Sequence, residues 1–104
     1  MAQFDVYLNP NSATRTLIPY LLDVQTDLLR DLGTRVVVPL VAVEEVGIMM
    51  KHLCPRFILN GQEVVMSTAE LAGLPSRSFG QPIASLQNQR TEIVAALDLL
   101  FTGF

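Results

Sequence analysis

The sequence is poor in charge, in cysteine and in tryptophan. Of its 104 residues 16% are charged, Cys54 is the single cysteine, and tryptophan is missing altogether. An ordinary soluble domain carries about 25% charged residues. A lone thiol excludes a disulfide framework and is typical of a reducing compartment, so we expect a cytoplasmic protein. The net charge of −3 argues against a module that binds nucleic acid by neutralising phosphates.

Long apolar runs are missing as well. The longest, Val36–Val43, has eight residues and contains Pro39, whereas a membrane-spanning helix needs about 20. The first residues contain no cationic stretch followed by an apolar one, so we expect no secretory signal. The length predicts one domain over residues 1–104, with no membrane partner.

What the chain has in abundance is apolar residues, which make up 50% of it. A chain of this length buries only about 60–70% of the surface that its unfolded form exposes. So many apolar residues are therefore more than one small core requires. We expect the remaining apolar surface to contact a partner, a second copy of the chain, or both.

Several short segments have the alternation or the β-branched and aromatic content of strands. Asn60-Gly61 predicts a type I′ turn that joins two of them in a hairpin. Pro39 follows a buried central strand and is expected to mark an edge or a bulge. The strands predicted from these patterns lie at residues 4–8, 18–24, 36–38, 57–59, 64–66 and 77–79.

The end of the chain has the pattern of a helix. Between Ser85 and Phe101 apolar residues recur close to the i, i+3, i+4, i+7 spacing, with no interior glycine or proline. Ser85 is the expected N-cap and Gly103 the expected C′ residue. Strands followed by one helix predict an α+β fold with a small antiparallel, barrel-like sheet. The connections are predicted as a loop at residues 9–14, a turn or short helix at 28–33, a loop or irregular strand at 41–50 and a helical turn at 68–73.

Residues that carry catalysis or bind metals are sparse. The sequence has no glycine-rich phosphate loop, and His52 with Cys54 lacks the further ligands that a zinc site needs. These two side chains share a face only on a strand, and Pro55 follows directly, so a small buried thiol beside a surface imidazole is favoured over a nucleophilic pair. We therefore expect no metal, no cofactor and no catalytic residue. The methionines at 49–50 are interpreted as core residues or as an adaptable docking surface.

Six stretches of the sequence together resemble the CcdB family of toxins. The most specific is Asp23-Val24-Gln25-Thr26-Asp27, an Asp-Val-Gln-[Ser/Thr]-Asp core that Arg35–Leu40, ending in Pro-Leu, follows at the preserved spacing. The other matching stretches are Gln3–Tyr7, Cys54-Pro55, Met66–Pro75 and Leu99–Phe104, so the resemblance runs over about residues 3–104.

The resemblance implies an SH3-like barrel with a long C-terminal helix, a homodimer, and an inhibitor in place of an enzyme. Members of the family are toxins of toxin–antitoxin pairs, whose dimer enters the gate of the DNA gyrase A subunit dimer and traps gyrase on cut DNA. The family's gyrase-binding positions correspond here to Thr102, Gly103 and Phe104. Trp-Gly-Ile is the family's best-known pattern at these positions, so only Gly103 is retained.

The resemblance also implies a small antitoxin whose disordered segment wraps the toxin, and operator DNA that is bound only through the antitoxin. In the family, the loop after the first strand and the region after the central strand contribute to this contact. The candidate antitoxin-binding residues are Asn9, Asn11, Arg15, Val46, Met49 and Met50. The candidate residues of a dimer interface on the C-terminal helix are Val94, Ala95, Leu97 and Phe101.

Two other functions stay open on the sequence alone. A related toxin family with the same barrel cleaves mRNA, and Arg35 with Thr34 are the nearest candidates for such a site, although the few basic residues argue against RNA binding. The second is a homologue that binds an antitoxin but has lost gyrase poisoning. This second hypothesis is suggested by Thr102, which occupies the position where the family has tryptophan.

Overall fold

The computed structural model describes residues 1–45 and 50–103. Within them, strands dominate the chain until the helix α1, which spans Arg90–Thr102. Short 3₁₀ helices lie at Asp27–Leu29, Val43–Glu45, Thr68–Glu70, Ser76–Ser78 and Gln87–Gln89. The strands are β1 (Asp5–Leu8), β2 (Tyr20–Asp23), β3 (Thr34–Ala42), β4 (Arg56–Leu59), β5 (Gln62–Met66), β6 (Ala72–Pro75) and β7 (Ala84–Ser85).

The strands form one antiparallel sheet that curls into a nearly closed barrel. Neighbouring strands follow the order β4-β5-β3-β2-β1-β7. β3 is the longest strand, and on one side it pairs with β6 along its first half and with β5 along its second half. The predicted fold, α+β with a barrel-like antiparallel sheet and one C-terminal helix, is confirmed.

Pro39 lies inside β3, so its prediction as an edge or bulge residue needs correction. On one side Pro39 is opposite Leu21 of β2. On the other side its carbonyl oxygen accepts a hydrogen bond from Ser67 N at 2.9 Å, at the point where β5 has ended and β6 has not begun. A proline lacks the N–H that a ladder needs. The central strand accepts it because this position lies between two partner strands.

The core lies between one face of the sheet and α1. The register sets Val6, Leu22 and Val38 side by side across three neighbouring strands, and all three are fully buried. Alternate residues of a strand point to the same face, so these strands supply one continuous apolar surface. Ile93 and Ala96 are the fully buried residues by which α1 covers it.

The predicted hairpin is confirmed. Asn60 and Gly61 both have positive φ angles, of 51° and 78°, as a type I′ turn requires. The turn joins β4 to β5, with Leu59 opposite Gln62. Phe57 and Leu59 point into the core while Arg56 and Ile58 point away from it.

The helix begins at Arg90 rather than at Ser85. Ser85 pairs with Asp5 in the β1–β7 ladder, and Leu86 N donates to the carbonyl of Phe4. Ser85 and Leu86, which the apolar spacing assigned to the helix, are therefore hydrogen-bonded to the sheet instead. Ser85 Oγ does accept a hydrogen bond from Gln87 N, at 3.2 Å, but that bond begins the preceding 3₁₀ turn.

Two shorter predictions are corrected by local hydrogen bonds. Residues 77–79, expected as a strand, lie mostly in the 3₁₀ helix Ser76–Ser78, because Phe79 N donates to the carbonyl of Ser76. The helical turn expected at residues 68–73 covers only Thr68–Glu70, and the chain then enters β6. The hydroxyl of Thr68, the first residue of this turn, donates to the carbonyl of Leu53.

Candidate partner-binding surfaces

The C-terminal end of α1 is an exposed apolar surface. Phe101 is 69% exposed. Gly103 takes a left-handed conformation with φ of 79°, and its N–H donates to the carbonyl of Leu99 at 3.1 Å, so it closes the helix as predicted. Thr102 is exposed, and its hydroxyl donates to the carbonyl of Asp98 at 2.7 Å. Phe104 lies outside the described residues.

The structure divides the four predicted dimer-interface residues between two flanks of α1. Residues of an α-helix are separated by about 100° of rotation, so Val94, Leu97 and Phe101 share one flank while Ala95 lies on another. Val94 and Leu97 are half-buried against the edge of the core, and Phe101 extends the same flank into solvent. A helix-to-helix contact through this flank would join three of the four residues.

The loop after β1 holds three of the predicted antitoxin-binding residues together. Asn9 is buried, and its side-chain nitrogen donates to Thr14 Oγ1 and to the carbonyl of Ile18, both at 2.9 Å. Asn11 N donates to Asn9 Oδ1, and Arg15 Nε donates to the Asn9 carbonyl. Asn9 therefore stabilises the loop from inside, whereas Asn11 is exposed on its surface.

The second predicted antitoxin region is described only in part. Val46 and Met49 lie outside the described residues, and Met50 is exposed. Met50 also lines a groove of about 1050 Å³ between α1 and the chain that leads into β4. The other lining residues are Lys51, His52, Cys54, Pro55, Arg56, Val65, Thr91, Glu92, Ala95 and Leu99.

A buried ion pair joins β2 to β3. Arg35 and Asp23 are 1% and 0% exposed, and Asp23 Oδ2 accepts from Arg35 Nη2 at 2.6 Å and from Arg35 Nε at 2.9 Å. The other carboxylate oxygen accepts from Gln25 N at 3.0 Å. Burial raises the pKa of the Asp23 carboxyl, while the hydrogen bonds from Arg35 and Gln25 oppose that rise. A group this enclosed contributes to the fold and not to a surface site.

The burial of Arg35 bears directly on the mRNA-cleavage alternative. A guanidinium that acts on RNA must reach a phosphate, but Arg35 is enclosed and donates to Asp23 and to the carbonyl of Gln25. Thr34 is exposed at the start of β3. The structure therefore does not bring the two candidate residues together as an accessible site.

Tyr7 lies near this ion pair. Its hydroxyl donates to Asp5 Oδ2 at 3.4 Å, and its ring packs against Phe79 with centroids 5.3 Å apart. Burial, together with the carboxylates of Asp5 and Asp23, raises the pKa of Tyr7 to about 12. The tyrosine therefore stays neutral at physiological pH and packs as part of the barrel.

An exposed leucine cluster was missed by the sequence reasoning. We call residues 27–32 the leucine loop: Leu28 is 91% exposed, and Leu29 and Leu32 are also exposed. The loop is fixed from below, because Gln25 Nε2 donates to the Leu29 carbonyl and Asp27 Oδ1 accepts from Gln3 N at 2.8 Å. The signal in the sequence was three leucines within a segment predicted as a turn.

The described residues give no sign of a metal centre or a membrane span. Within 1–45 and 50–103, no group of three or more His, Cys, Asp or Glu side chains is arranged to hold a metal ion. The same part of the chain contains no helix long and apolar enough to cross a membrane.

Comparison with protein-family models gives a match over nearly the whole chain. The model described as CcdB protein matches residues 3–103. The matched range includes the barrel, the leucine loop and all of α1. The chain therefore belongs to the CcdB family, which comprises toxins of toxin–antitoxin systems.

Proposed function

We propose that this chain is a homodimeric toxin that binds the DNA gyrase A subunit, traps gyrase on cleaved DNA and is neutralised by a cognate antitoxin. Family membership over residues 3–103 supports the class. The observation that carries the specific proposal is the exposed end of α1, where Thr102 and Gly103 are both exposed beyond the strip assigned below to dimerisation. The contact is assigned to Thr102, Gly103 and Phe104.

This end of α1 has the chemistry of a binding surface. An exposed aromatic side chain supplies a large apolar contact at a small cost in conformational entropy. Gly103 has no side chain to hold a partner away, and its left-handed backbone ends the helix. The leucine loop is a second exposed apolar surface suited to the same large partner.

Trapping gyrase on cut DNA requires binding and no chemical step by the toxin. A partner that binds the cleaved complex more tightly than the religated one shifts the equilibrium toward cleaved DNA. The protein is accordingly proposed to be an inhibitor rather than an enzyme, acting in the cytoplasm where gyrase and its DNA are.

Dimerisation is assigned to the flank of α1 that carries Val94, Leu97 and Phe101. These side chains form an apolar strip that continues from the edge of the core to the helix end. Pairing two such strips would bury Phe101 partly and bring two copies of the helix end close together. A twofold arrangement is the commonest way in which identical chains associate.

The antitoxin contact is assigned to the loop after β1 and to the region around Met50. The loop presents Asn11 and the partly exposed Arg15 on a frame that Asn9 holds from inside. Met50 adds an exposed, flexible apolar side chain, which suits a partner that folds on binding. Operator DNA is proposed to bind through the antitoxin, consistent with the net charge of −3.

A gyrase cleavage assay with the purified chain tests the proposal. We expect linear, cleaved DNA to accumulate with the unaltered chain. For Gly103→Val we expect at least about a tenfold loss of potency, because valine is strained at a positive φ angle and its side chain obstructs the contact. Leu8→Thr, an exposed change on the barrel, is the matched control. Normal religation with the folded, unaltered chain would contradict gyrase poisoning, and harmless expression in cells would favour an antitoxin-binding homologue that is not a poison.

A further inference from the structure

We propose that the open edge of β4, together with the groove beside α1, binds an extended segment of the antitoxin as an added β-strand. This inference rests on the proposed function, which supplies the partner. β4 lies at one end of the strand order. Within residues 1–45 and 50–103, β5 is the one strand that pairs with it, so the opposite edge of β4 is open.

The register of the hairpin determines which backbone groups point to the open edge. The carbonyl oxygen of Pro55 accepts a hydrogen bond from Met66 N at 2.9 Å, so Pro55 faces β5. Alternate residues of an antiparallel strand direct their N–H and C=O groups to opposite sides. Phe57 therefore also faces β5, whereas Arg56 and Ile58 direct theirs to the open edge. Only another extended backbone supplies donors and acceptors at matching intervals.

The side chains at this edge favour pairing over protection. Ile58 is 73% exposed in the centre of the edge. Natural edge strands are protected by short length, charged side chains, proline or a bulge. β4 is short and carries Arg56, but the exposed β-branched residue at its centre gives an added strand an apolar cross-strand neighbour. Arg56 is the charged residue of β4, and it is partly neutralised by Glu63 at 3.3 Å.

The groove meets β4 at Arg56, the first residue of the edge, and has room there for side chains of the added strand. Ala95 and Leu99 lie one helical turn apart on the groove side of α1. Lys51 and Arg56 also line the groove, on the side formed by the chain that leads into β4. Among the lining residues Glu92 is the one carboxylate, so the basic side chains outnumber it. We expect the bound segment to place apolar side chains near Ala95 and Leu99 and an acidic side chain near Lys51 and Arg56. This flank of α1 is separate from the strip assigned to dimerisation.

A peptide suits this surface better than a second copy of the chain does. Pairing β4 with β4 of another copy would use the same outward backbone groups of Arg56 and Ile58. By itself, such pairing would not fill the groove of about 1050 Å³ between α1 and the chain that leads into β4. An extended segment of a disordered partner can follow the edge and fill the groove at once.

Amide hydrogen exchange of the full chain, alone and with its full-length cognate antitoxin, tests the inference. We expect the amides of Arg56 and Ile58 to exchange about 100-fold more slowly in the complex, because they gain hydrogen bonds. Phe57 and Leu59 are internal controls, since their amides already face β5. Tight binding without slowing at Arg56 and Ile58 would overturn this inference and leave the proposed function intact. Absence of binding would contradict both.

A pair of variants separates backbone pairing from side-chain contact. Ile58→Pro removes the outward N–H but none of the bonds to β5, and we expect it to weaken antitoxin binding on the order of 30-fold. Ile58→Thr keeps the N–H and should weaken binding less than about fivefold. Equal effects of the two variants would contradict strand addition. If the amides of Arg56 and Ile58 exchange more slowly as the concentration of the free chain is raised, a second copy occupies the edge. That result would overturn the proposal.

Discussion

Two ion pairs, Asp23–Arg35 and Arg56–Glu63, join the same kinds of group in opposite surroundings. The first is enclosed in the barrel, with the two charged atoms 2.6 Å apart and side chains that are at most 1% exposed. The second spans the hairpin at 3.3 Å, with side chains that are 58% and 48% exposed. The difference in burial indicates that the Asp23–Arg35 pair stabilises the fold, whereas Arg56 and Glu63 can exchange each other for another charged partner.

The buried pair is tied to several other parts of the structure. Gln25 donates its N–H to Asp23, accepts from Val36 N at 3.1 Å and donates to the carbonyl of Leu29. The leucine loop is thereby connected to β2 and β3 through the buried side chain of Gln25. Among the residues that the structure describes, the exposed pair makes no further side-chain hydrogen bond, so Arg56 can leave Glu63 for an acidic partner at little cost.

Removing one partner of the buried pair is expected to have the largest effect. Asp23→Ala leaves the Arg35 charge enclosed without its carboxylate, and we expect the free energy of unfolding to fall by about 3–5 kcal/mol. Urea denaturation at pH 7, followed by circular dichroism, measures it. A loss below about 1 kcal/mol would mean that water reaches Arg35 and that the network is not enclosed.

An intermediate effect is expected at alkaline pH from Tyr7. Tyrosine in the unfolded chain ionises near pH 10, about two pH units below folded Tyr7. The unfolded chain therefore loses its proton first, and the stability that Tyr7 contributes is lost as pH rises from about 10 to 12. Urea denaturation at pH 9 and pH 11 should show a steeper decline for the unaltered chain than for Tyr7→Phe. Parallel declines would contradict the burial argument.

The smallest effect is expected at the exposed pair. Glu63→Ala should change the free energy of unfolding by less than about 1 kcal/mol, because exposed pairs are screened and well hydrated. The same urea experiment at low and high salt measures this change, with Asp23→Ala as the contrast. A loss as large as that of Asp23→Ala would show that Glu63 supports the hairpin and would remove the distinction between the two pairs.

Much of the fold was predictable because its signals are local. Asn60-Gly61 predicts the hairpin since few other pairs accept two positive φ angles in succession. The apolar spacing on α1 likewise predicts a helix through Phe101, and Gly103 its end. The start of α1 was not predictable, because the β1–β7 ladder uses Ser85 and that ladder depends on a residue 80 positions away, Asp5.

The candidate surfaces were predictable only in part. The resemblance in the motifs identified the end of α1 and the loop after β1 as candidates, but it did not reveal that Asn9 is enclosed or that Ala95 lies apart from Val94 and Leu97. The exposed leucines at residues 28, 29 and 32 have the composition of a core segment. Their exposure follows from the 3₁₀ turn and from polar side chains that fix it from below.

The sequence by itself determined that the chain has more apolar residues than one small core needs, that its strands precede a single helix, and that it resembles one toxin family throughout. These conclusions depend on composition, local spacing and motif order. The tertiary structure alone decided where the surplus lies: on the leucine loop, at Phe101, and at Ile58 on the open edge of β4. Exposure depends on which segments pack together, and segments far apart in the chain decide that.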